Sequence, residues 1–323
     1  MKRACILTLA AVVGTGVLLS AQALKVDPGL NAYTKTSGVS GNLNSIGSDT
    51  MNNMMTLWAE TFRKFYPNVR IQVEGKGSST APPALISGTA QFGPMSRSMR
   101  QAEIDQFEAR YGYKPTELKS SYDALAVYVH KDNPIEKLTL AQVEAIFSKS
   151  RKRGYKQNIA TWGQLGLTGD WANRPISLYG RNSASGTYGF FKEHTLKNGD
   201  YKDSVKEQPG SASVVQGVTE DRYGIGYSGI GYKTSGVKAV PLAETAAGPF
   251  SDGKYEDVTG GKYPLWRFLY IYVNKAPNRP LDPLQAEFVK LIYSKEGQET
   301  VVKDGYMPLP AKLAQVELAK VVK

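Results

Sequence analysis

Two stretches of this chain place small hydroxyl residues and glycine where an extended run turns straight into a helix. In the first, Leu43-Asn44-Ser45-Ile46 leads through Gly47-Ser48-Asp49-Thr50 into a helical pattern from Met51 to Tyr66. In the second, Ile176-Ser177-Leu178-Tyr179 leads through Gly180-Arg181-Asn182-Ser183-Ala184-Ser185-Gly186-Thr187 into Tyr188 to Leu196. A helix start leaves about four N–H groups unpaired and carries roughly half a positive charge. Glycine lets an anion reach that bare backbone, and Ser or Thr adds O–H donors. Two such turns, far apart in the chain, suit one anion gripped from both sides.

Arg181 is the strongest single candidate. Its guanidinium is a planar fork matched to a tetrahedral oxyanion and stays charged at any relevant pH. Ser185 and Thr187 can bind the anion or merely cap the helix, since both use the same geometry. Asp49 beside Ser48 and Thr50 poses a question, because a carboxylate should repel an anion unless that anion carries a proton to donate. Hydrogen phosphate does so near neutral pH and sulfate does not. The plainer reading of Asp49 is a helix cap. A third turn, Gly75-Lys76-Gly77-Ser78-Ser79-Thr80, follows the strand pattern Ile71-Gln72-Val73-Glu74 and offers Ser78 and Ser79 as donors. Ser96 and Arg97 follow another strand pattern. Arg97 can neutralise the anion, orient Asp49, or form a structural ion pair.

Familiar catalytic constellations are missing. The two histidines, His130 and His194, make no metal-ligand pair. Neither a G-x-S-x-G elbow nor a G-x-x-x-x-G-K-[ST] phosphate loop occurs. No metal site or cofactor is expected, and the chain reads as a non-enzyme. His194 lies about two helical turns beyond Thr187 and reads as solvated. The basic run from Lys149 to Lys156 reads as an exposed loop rather than a nucleic-acid patch.

The elements that would position these residues alternate strand and helix with short Gly-rich links, the pattern of a mainly parallel α/β sheet. Pro82 and Pro83 suit the first turn of a helix running to Ser87, and a polar helix is expected around Glu103 to Arg110. A long-range echo adds a second signal. Ala126-Val127-Tyr128-Val129-His130-Lys131 precedes a helix ending Ala145-Ile146-Phe147-Ser148-Lys149. Tyr270-Ile271-Tyr272-Val273-Asn274-Lys275 precedes one ending Leu291-Ile292-Tyr293-Ser294-Lys295. The spacing of the copies is nearly constant, which suits two similar lobes, each built on a corresponding strand and helix. The chain would cross from one lobe to the other near Ser120 to Asp123 and return near Tyr263 to Trp266. That arrangement gives lobe I from 24–121 and 264–323, lobe II from 122–263, and a two-strand hinge with a ligand cleft between.

Residues 1–23 read as an export signal: Lys2 and Arg3, an apolar stretch from Ala4 to Ser20, and Ala21-Gln22-Ala23 as a cleavage site. The one cysteine, Cys5, lies inside it. The mature chain therefore has no thiol to form a disulfide, and a periplasmic destination is the simplest expectation, an extracellular one being compatible with it. A length of 323 residues supports a large core and two lobes. The formal net charge of +11 favours an acidic ligand or an anionic envelope surface.

The loops Gly47-Ser48-Asp49-Thr50, Gly77-Ser78-Ser79, Ser96-Arg97 and Arg181-Asn182-Ser183-Ala184-Ser185-Gly186-Thr187 resemble those of one family. So do Gly224-Ile225-Gly226-Tyr227 and the ending Gly305-Tyr306-Met307-Pro308-Leu309-Pro310. It is the family of periplasmic phosphate-binding proteins of the phosphate-specific ABC transporter, the PstS type. The likeness runs over nearly all of the mature chain. It implies a two-lobed periplasmic-binding-protein fold, type II-like, that closes on dehydrated inorganic phosphate and passes it to an inner-membrane ABC permease. It implies anion ligands at Arg181, Ser185, Gly186 and Thr187 from one lobe. From the other it implies Thr50, with Ser48 as an alternative, and Ser79. Many members carry a proton-accepting aspartate after the third strand, where this chain has Ser96-Arg97; Asp49 is the expected substitute. A monomer that binds no nucleic acid is expected. The rival readings are an exported phosphatase of related fold and a basic extracellular adhesin or matrix protein.

Overall fold

The computed structural model describes residues 24–322, so the expected leader and Cys5 lie outside the described residues. Among the described residues no helix is long and apolar enough to cross a membrane.

The chain opens with β1 (Asn42–Ile46), α1 (Asn52–Phe65), β2 (Arg70–Glu74), α2 (Ala81–Ser87), β3 (Phe92–Met95) and α3 (Gln101–Tyr111). The long strand β4 (Thr116–His130) leads to β5 (Leu138–Thr139) and α4 (Leu140–Phe147). A second alternating stretch follows, with β6 (Ser177–Arg181), α5 (Gly186–His194), β7 (Val205–Gln208), α6 (Ser211–Glu220) and β8 (Gly224–Gly229). Then come β9 (Val237–Ala239), β10 (Leu242–Ala243), α7 (Tyr255–Thr259) and β11 (Trp266–Val273). Helices α8 (Pro283–Ile292), α9 (Lys295–Lys303) and α10 (Ala311–Val322) close the chain.

The main sheet runs β2-β1-β3-β11-β4-β8-β6-β7, with β9 also paired to β4. Strand β1 lies parallel to β2 and β3, and β6 lies parallel to β7 and β8. Strand β11 is antiparallel to β3, and β4 is antiparallel to β8. Each half is thus three parallel strands closed by one antiparallel strand. The sequence echo aligns those two closing strands: Tyr270 of β11 faces Met95, and Ala126 of β4 faces Ser228. The halves join where β4 and β11 pair with each other, with Arg267 directly opposite Asp123.

The echo is weaker at its helical end. Helix α4 stops at Phe147, with Ser148 as its C-cap. After α8 stops at Ile292, the Ser294 side chain accepts from Gly297 N and starts α9 instead. Both helices end inside the echoed stretches; a serine hydroxyl caps a helix start well, so Ser294-Lys295 then opens a further helix that has no counterpart after α4.

Each half packs its own core. In α1, Met54, Met55, Trp58, Ala59 and Phe62 are buried, the one-face spacing of an amphipathic helix. Phe62 and Phe92 each meet Phe288 edge to face, at 5.3 and 5.2 Å between centroids. In the other half Phe191 stacks on Tyr227 at 3.9 Å, with Phe147 against its edge. The Tyr227 hydroxyl accepts from the Arg181 backbone N–H at 3.2 Å. A core contact therefore fixes where Arg181 leaves β6.

Asp304, just past α9, is a polar exception. Asn53 of α1 donates to its Oδ1, while Oδ2 is buried without a hydrogen-bond partner. Burial raises its pKa to about 6, against the opposing effect of the Asn53 donor. A folded pKa above the unfolded one means that the folded state holds the proton more tightly. The stabilisation is therefore fully present below the ordinary value of 3.8 and is lost as pH rises through about 6. Asp304→Asn should stabilise the protein at pH 7.5 by up to roughly 3 kcal/mol and much less at pH 4, as read from urea unfolding at both values. An equal effect at both pH values would show that this carboxyl does not titrate across that range.

Candidate functional site

Parallel strands send their carboxyl ends to a common edge, where ligands of α/β sheets gather. Here Ser48 follows β1, Ser78 follows β2, Ser96 follows β3, Ser185 follows β6 and Ser211 follows β7. All five are buried. The turns from the two halves touch. Thr50 Oγ1 lies 2.9 Å from Thr187 Oγ1, and Ser48 Oγ donates to Ser96 Oγ at 3.0 Å. Ser78 Oγ lies 3.3 Å from Ser96 Oγ. The Ser79 hydroxyl donates to the Ala184 carbonyl at 2.9 Å, with Ser79 N on the same oxygen.

Glycine permits this approach at two places. Gly77 has φ +120°, a backbone angle that side-chain-bearing residues rarely adopt, and a Cβ there would meet Ala184 O at 2.5 Å. A Cβ on Gly186 would stand 2.3 Å from Ser78 Oγ and 2.6 Å from Ser96 Oγ.

The cluster is polarised toward donating. Ser185 Oγ accepts from Thr187 N and Tyr188 N, Ser78 Oγ accepts from Ser96 N, and Thr187 Oγ1 accepts from Arg267 Nη2. A hydroxyl has one proton and two lone pairs. Each of these three, already accepting from an N–H, keeps its own proton to offer. A surface built this way suits an electron-rich oxyanion.

Arg181 is almost fully buried. Its Nη1 donates to Ser211 Oγ at 2.7 Å and lies 3.2 Å from Asp49 Oδ2, while Nη2 donates to Pro209 O at 3.1 Å. Its Nε has no hydrogen-bond partner, and an unpaired buried donor is costly. Burial pulls the Arg181 pKa below its ordinary value, and Asp49 opposes that. Asp49 also accepts from Ser211 N at 2.8 Å. Its carboxylate therefore reaches across to the other half rather than capping its own helix. Tyr232 and Tyr306 hold the backbone carbonyls of this turn, with hydroxyls 3.0 Å from Asp49 O and 3.0 Å from Thr50 O.

Of the residues expected from sequence, the structure brings together Ser48, Asp49, Thr50, Ser78, Ser96, Arg181, Ser185, Gly186 and Thr187. Two stand differently. Ser79 has its proton committed to Ala184, so its hydroxyl ties the two turns together instead of facing an anion. Arg97 forms a two-pronged pair with Glu103, at 2.8 and 2.7 Å, and also donates to Ser98 O. Glu103 sits in the first turn of α3, the preferred place for a carboxylate, and there it claims the guanidinium. Arg97 neither reaches Asp49 nor joins the hydroxyl cluster; it lines an adjoining cavity of about 580 Å³ with Arg100, Tyr188, Phe190 and Trp266. That cavity shares Arg267 with the cluster. His194 is about half exposed, as expected, and rests on the Phe190 ring. Among the described residues no group of three or more His, Cys, Asp or Glu is arranged to hold a metal.

Sequence reasoning missed Ser211, Arg267 and Asp123. Ser211 follows Gly210 after a strand, the same turn-to-helix signal as Ser78 after Gly77. Arg267 and Asp123 are lone charges inside apolar strand runs, a sign of buried pairing. Their guanidinium–carboxylate contact is 2.7 Å, with Arg267 3% and Asp123 0% exposed.

Residues 32–296 match the PBP superfamily domain. The chain is 59% identical over 303 residues to the phosphate-binding protein PstS of Pseudomonas aeruginosa, covering 94% of each. To the PstS of Bacillus subtilis it is 25% identical over 272 residues, 84% of this chain and 81% of that one. A crystal structure with bound phosphate from Clostridium perfringens superposes with a TM-score of 0.69 at 25% identity, over 83% of this chain and 100% of that one.

Gly186→Ala tests whether the turns must touch. The added methyl has to displace Ser78 and Ser96, so oxyanion affinity should fall at least about tenfold, or ~1.4 kcal/mol, with the circular dichroism spectrum unchanged. Unaltered affinity in isothermal titration would show that this contact is dispensable.

Proposed function

Because the chain belongs to the PBP superfamily and within it to the PstS-type phosphate-binding proteins, we propose that it is the receptor of an ABC transporter and takes inorganic phosphate between its two halves. The observation that carries this reading is a buried cluster whose hydroxyls already accept from fixed N–H groups, beside a buried arginine with an idle Nε–H. Such a cluster replaces the water around a tetrahedral anion with donors that need little reorganisation.

In this reading Ser48, Thr50, Ser78 and Ser96 bind from lobe I, and Arg181, Ser185, Gly186 and Thr187 bind from lobe II. Lobe I comprises 24–121 and 264–323, and lobe II comprises 122–263. Strand β4 and the return near Tyr263 to Trp266 form the hinge. Asp49 is the proton acceptor: Oδ2 is engaged by Ser211 N and Arg181, which leaves Oδ1 for the proton of hydrogen phosphate. Sulfate has no proton to give and sets two negative oxygens against each other. A buried acceptor left unpaired costs about 1–3 kcal/mol, more when charged, enough for tenfold to hundredfold discrimination.

The protein then acts as an exported, periplasmic monomer without catalytic activity. It closes on phosphate and docks in the closed form on the inner-membrane permease. Donor number and hydrogen-bond geometry set affinity, while the carboxylate sets selectivity.

Isothermal titration of the wild-type protein should give tight phosphate binding and weak or absent sulfate binding. Arg181→Ala should weaken both anions strongly. Asp49→Asn should narrow the phosphate-to-sulfate ratio at least about tenfold. Equal wild-type affinity for the two anions would remove the role given to Asp49, and full phosphate affinity in Arg181→Ala would remove the site.

A further inference from the structure

A buried ion pair stands beside the hydroxyl cluster. Arg267 of β11 faces Asp123 of β4 where the halves join. Nε and Nη2 hold Asp123 Oδ2 at 2.8 and 2.7 Å. Nη1 donates to Ser96 O at 2.7 Å, and Nη2 donates to Thr187 Oγ1 at 3.0 Å. A single guanidinium therefore touches the junction strand, the end of β3 in one half and the start of α5 in the other.

A buried ion pair contributes little net stability compared with apolar residues of similar size. Its directed donors are what an apolar pair could not supply. Thr187 Oγ1 also lies 2.9 Å from Thr50 Oγ1, and taken alone either hydroxyl could donate in that contact. Arginine has five N–H donors and no acceptor, so Thr187 must accept from Arg267. The Thr187 proton is then free only for Thr50 or for a ligand. The bond to Ser96 O holds the loop whose N–H performs the same service for Ser78.

We propose that Arg267, held by Asp123, is a positioning and specificity-determining residue: it turns the Thr187 hydroxyl into an obligatory donor to the bound anion and needs no contact with the anion itself. This inference rests on the phosphate-receptor reading and adds to it the residue that orients one of its donors.

The test is a double-mutant cycle read by phosphate titration. Asp123→Asn with Arg267→Gln removes both charges together, so neither is left buried alone. This paired variant should bind phosphate at least about tenfold more weakly than wild type. In a Thr187→Val background, which has no hydroxyl to orient, the same pair should cost less than about threefold further. A purely structural role would instead give equal losses in both backgrounds, and that result overturns the proposal, as does an undiminished affinity in the paired variant. If the paired variant fails to fold, Arg267→Lys serves in its place. It keeps the charge against Asp123 but cannot direct donors to Ser96, Asp123 and Thr187 at once. It should show the same tenfold loss with the unfolding temperature of the ligand-free protein retained, and wild-type affinity in it overturns the proposal. A wild-type protein that binds no phosphate would overturn the receptor reading along with this one, whereas normal wild-type binding with equal losses overturns only the role of Arg267.

Discussion

A hydroxyl that accepts a hydrogen bond from a fixed N–H has its proton directed away from that donor, where it can be offered to a ligand. That orientation shapes the two strand edges that face each other where the halves meet. Ser185, Ser78 and Thr187 are each held from behind by a backbone or guanidinium N–H. Without those partners, each could turn toward a carbonyl or a neighbouring hydroxyl and present a lone pair instead. The short helix starts, the glycines at 77 and 186, and the burial of the cluster keep these donors fixed and free of water, where each hydrogen bond is stronger.

Sheet topology explains why the donors meet. Within each half the parallel strands end at one edge, and because β1–β3 run opposite to β6–β8 across the β11–β4 junction, the two edges face each other; each of five strand ends delivers a buried serine. An antiparallel strand within one half could not do this, because its carboxyl end leaves from that half's far edge. The two antiparallel strands, β4 and β11, serve another purpose. They pair with each other, carry the chain between halves, and place Asp123 and Arg267 side by side beneath the cluster. The strands that join the halves also carry the ion pair that reaches into both.

Much of this was legible in the sequence because it is local. A Gly-Ser turn between a strand pattern and a helical pattern is a signal spanning a few residues, and Ser48, Ser78, Ser185 and Gly186 could be picked out that way. Ser211 carries the same signal in Pro209-Gly210-Ser211 and was readable by the same rule. Arg97 was not resolvable, since an arginine after a strand looks the same whether it meets a ligand or a glutamate six residues on. Its partner Glu103 is held in place by the start of α3. The pairing of Arg267 with Asp123 was hidden for a different reason. It depends on the register of two strands far apart in the chain, which neither strand's own residues determine. The echo between β4 and β11 pointed to equivalent roles in two halves, but not to their lying against each other.

Charge bookkeeping in the interior ties these observations together. Three buried arginines stand in or beside the proposed site, and each has a carboxylate within the protein: Arg97 with Glu103, Arg181 with Asp49, Arg267 with Asp123. The site is therefore close to neutral, although the chain as a whole carries a formal net charge of +11. A cluster of uncompensated guanidinium groups would attract any anion and would destabilise the ligand-free fold, because an unpaired buried charge is expensive. Neutral pairing removes that cost and with it the indiscriminate attraction. What is left to recognise a ligand is the direction of its hydrogen bonds: many donors converging, and one carboxylate oxygen at Asp49 that only a protonated oxyanion can satisfy. Selectivity in such a site follows from where protons point, and the surface charge is left to raise the local concentration of anions of every kind.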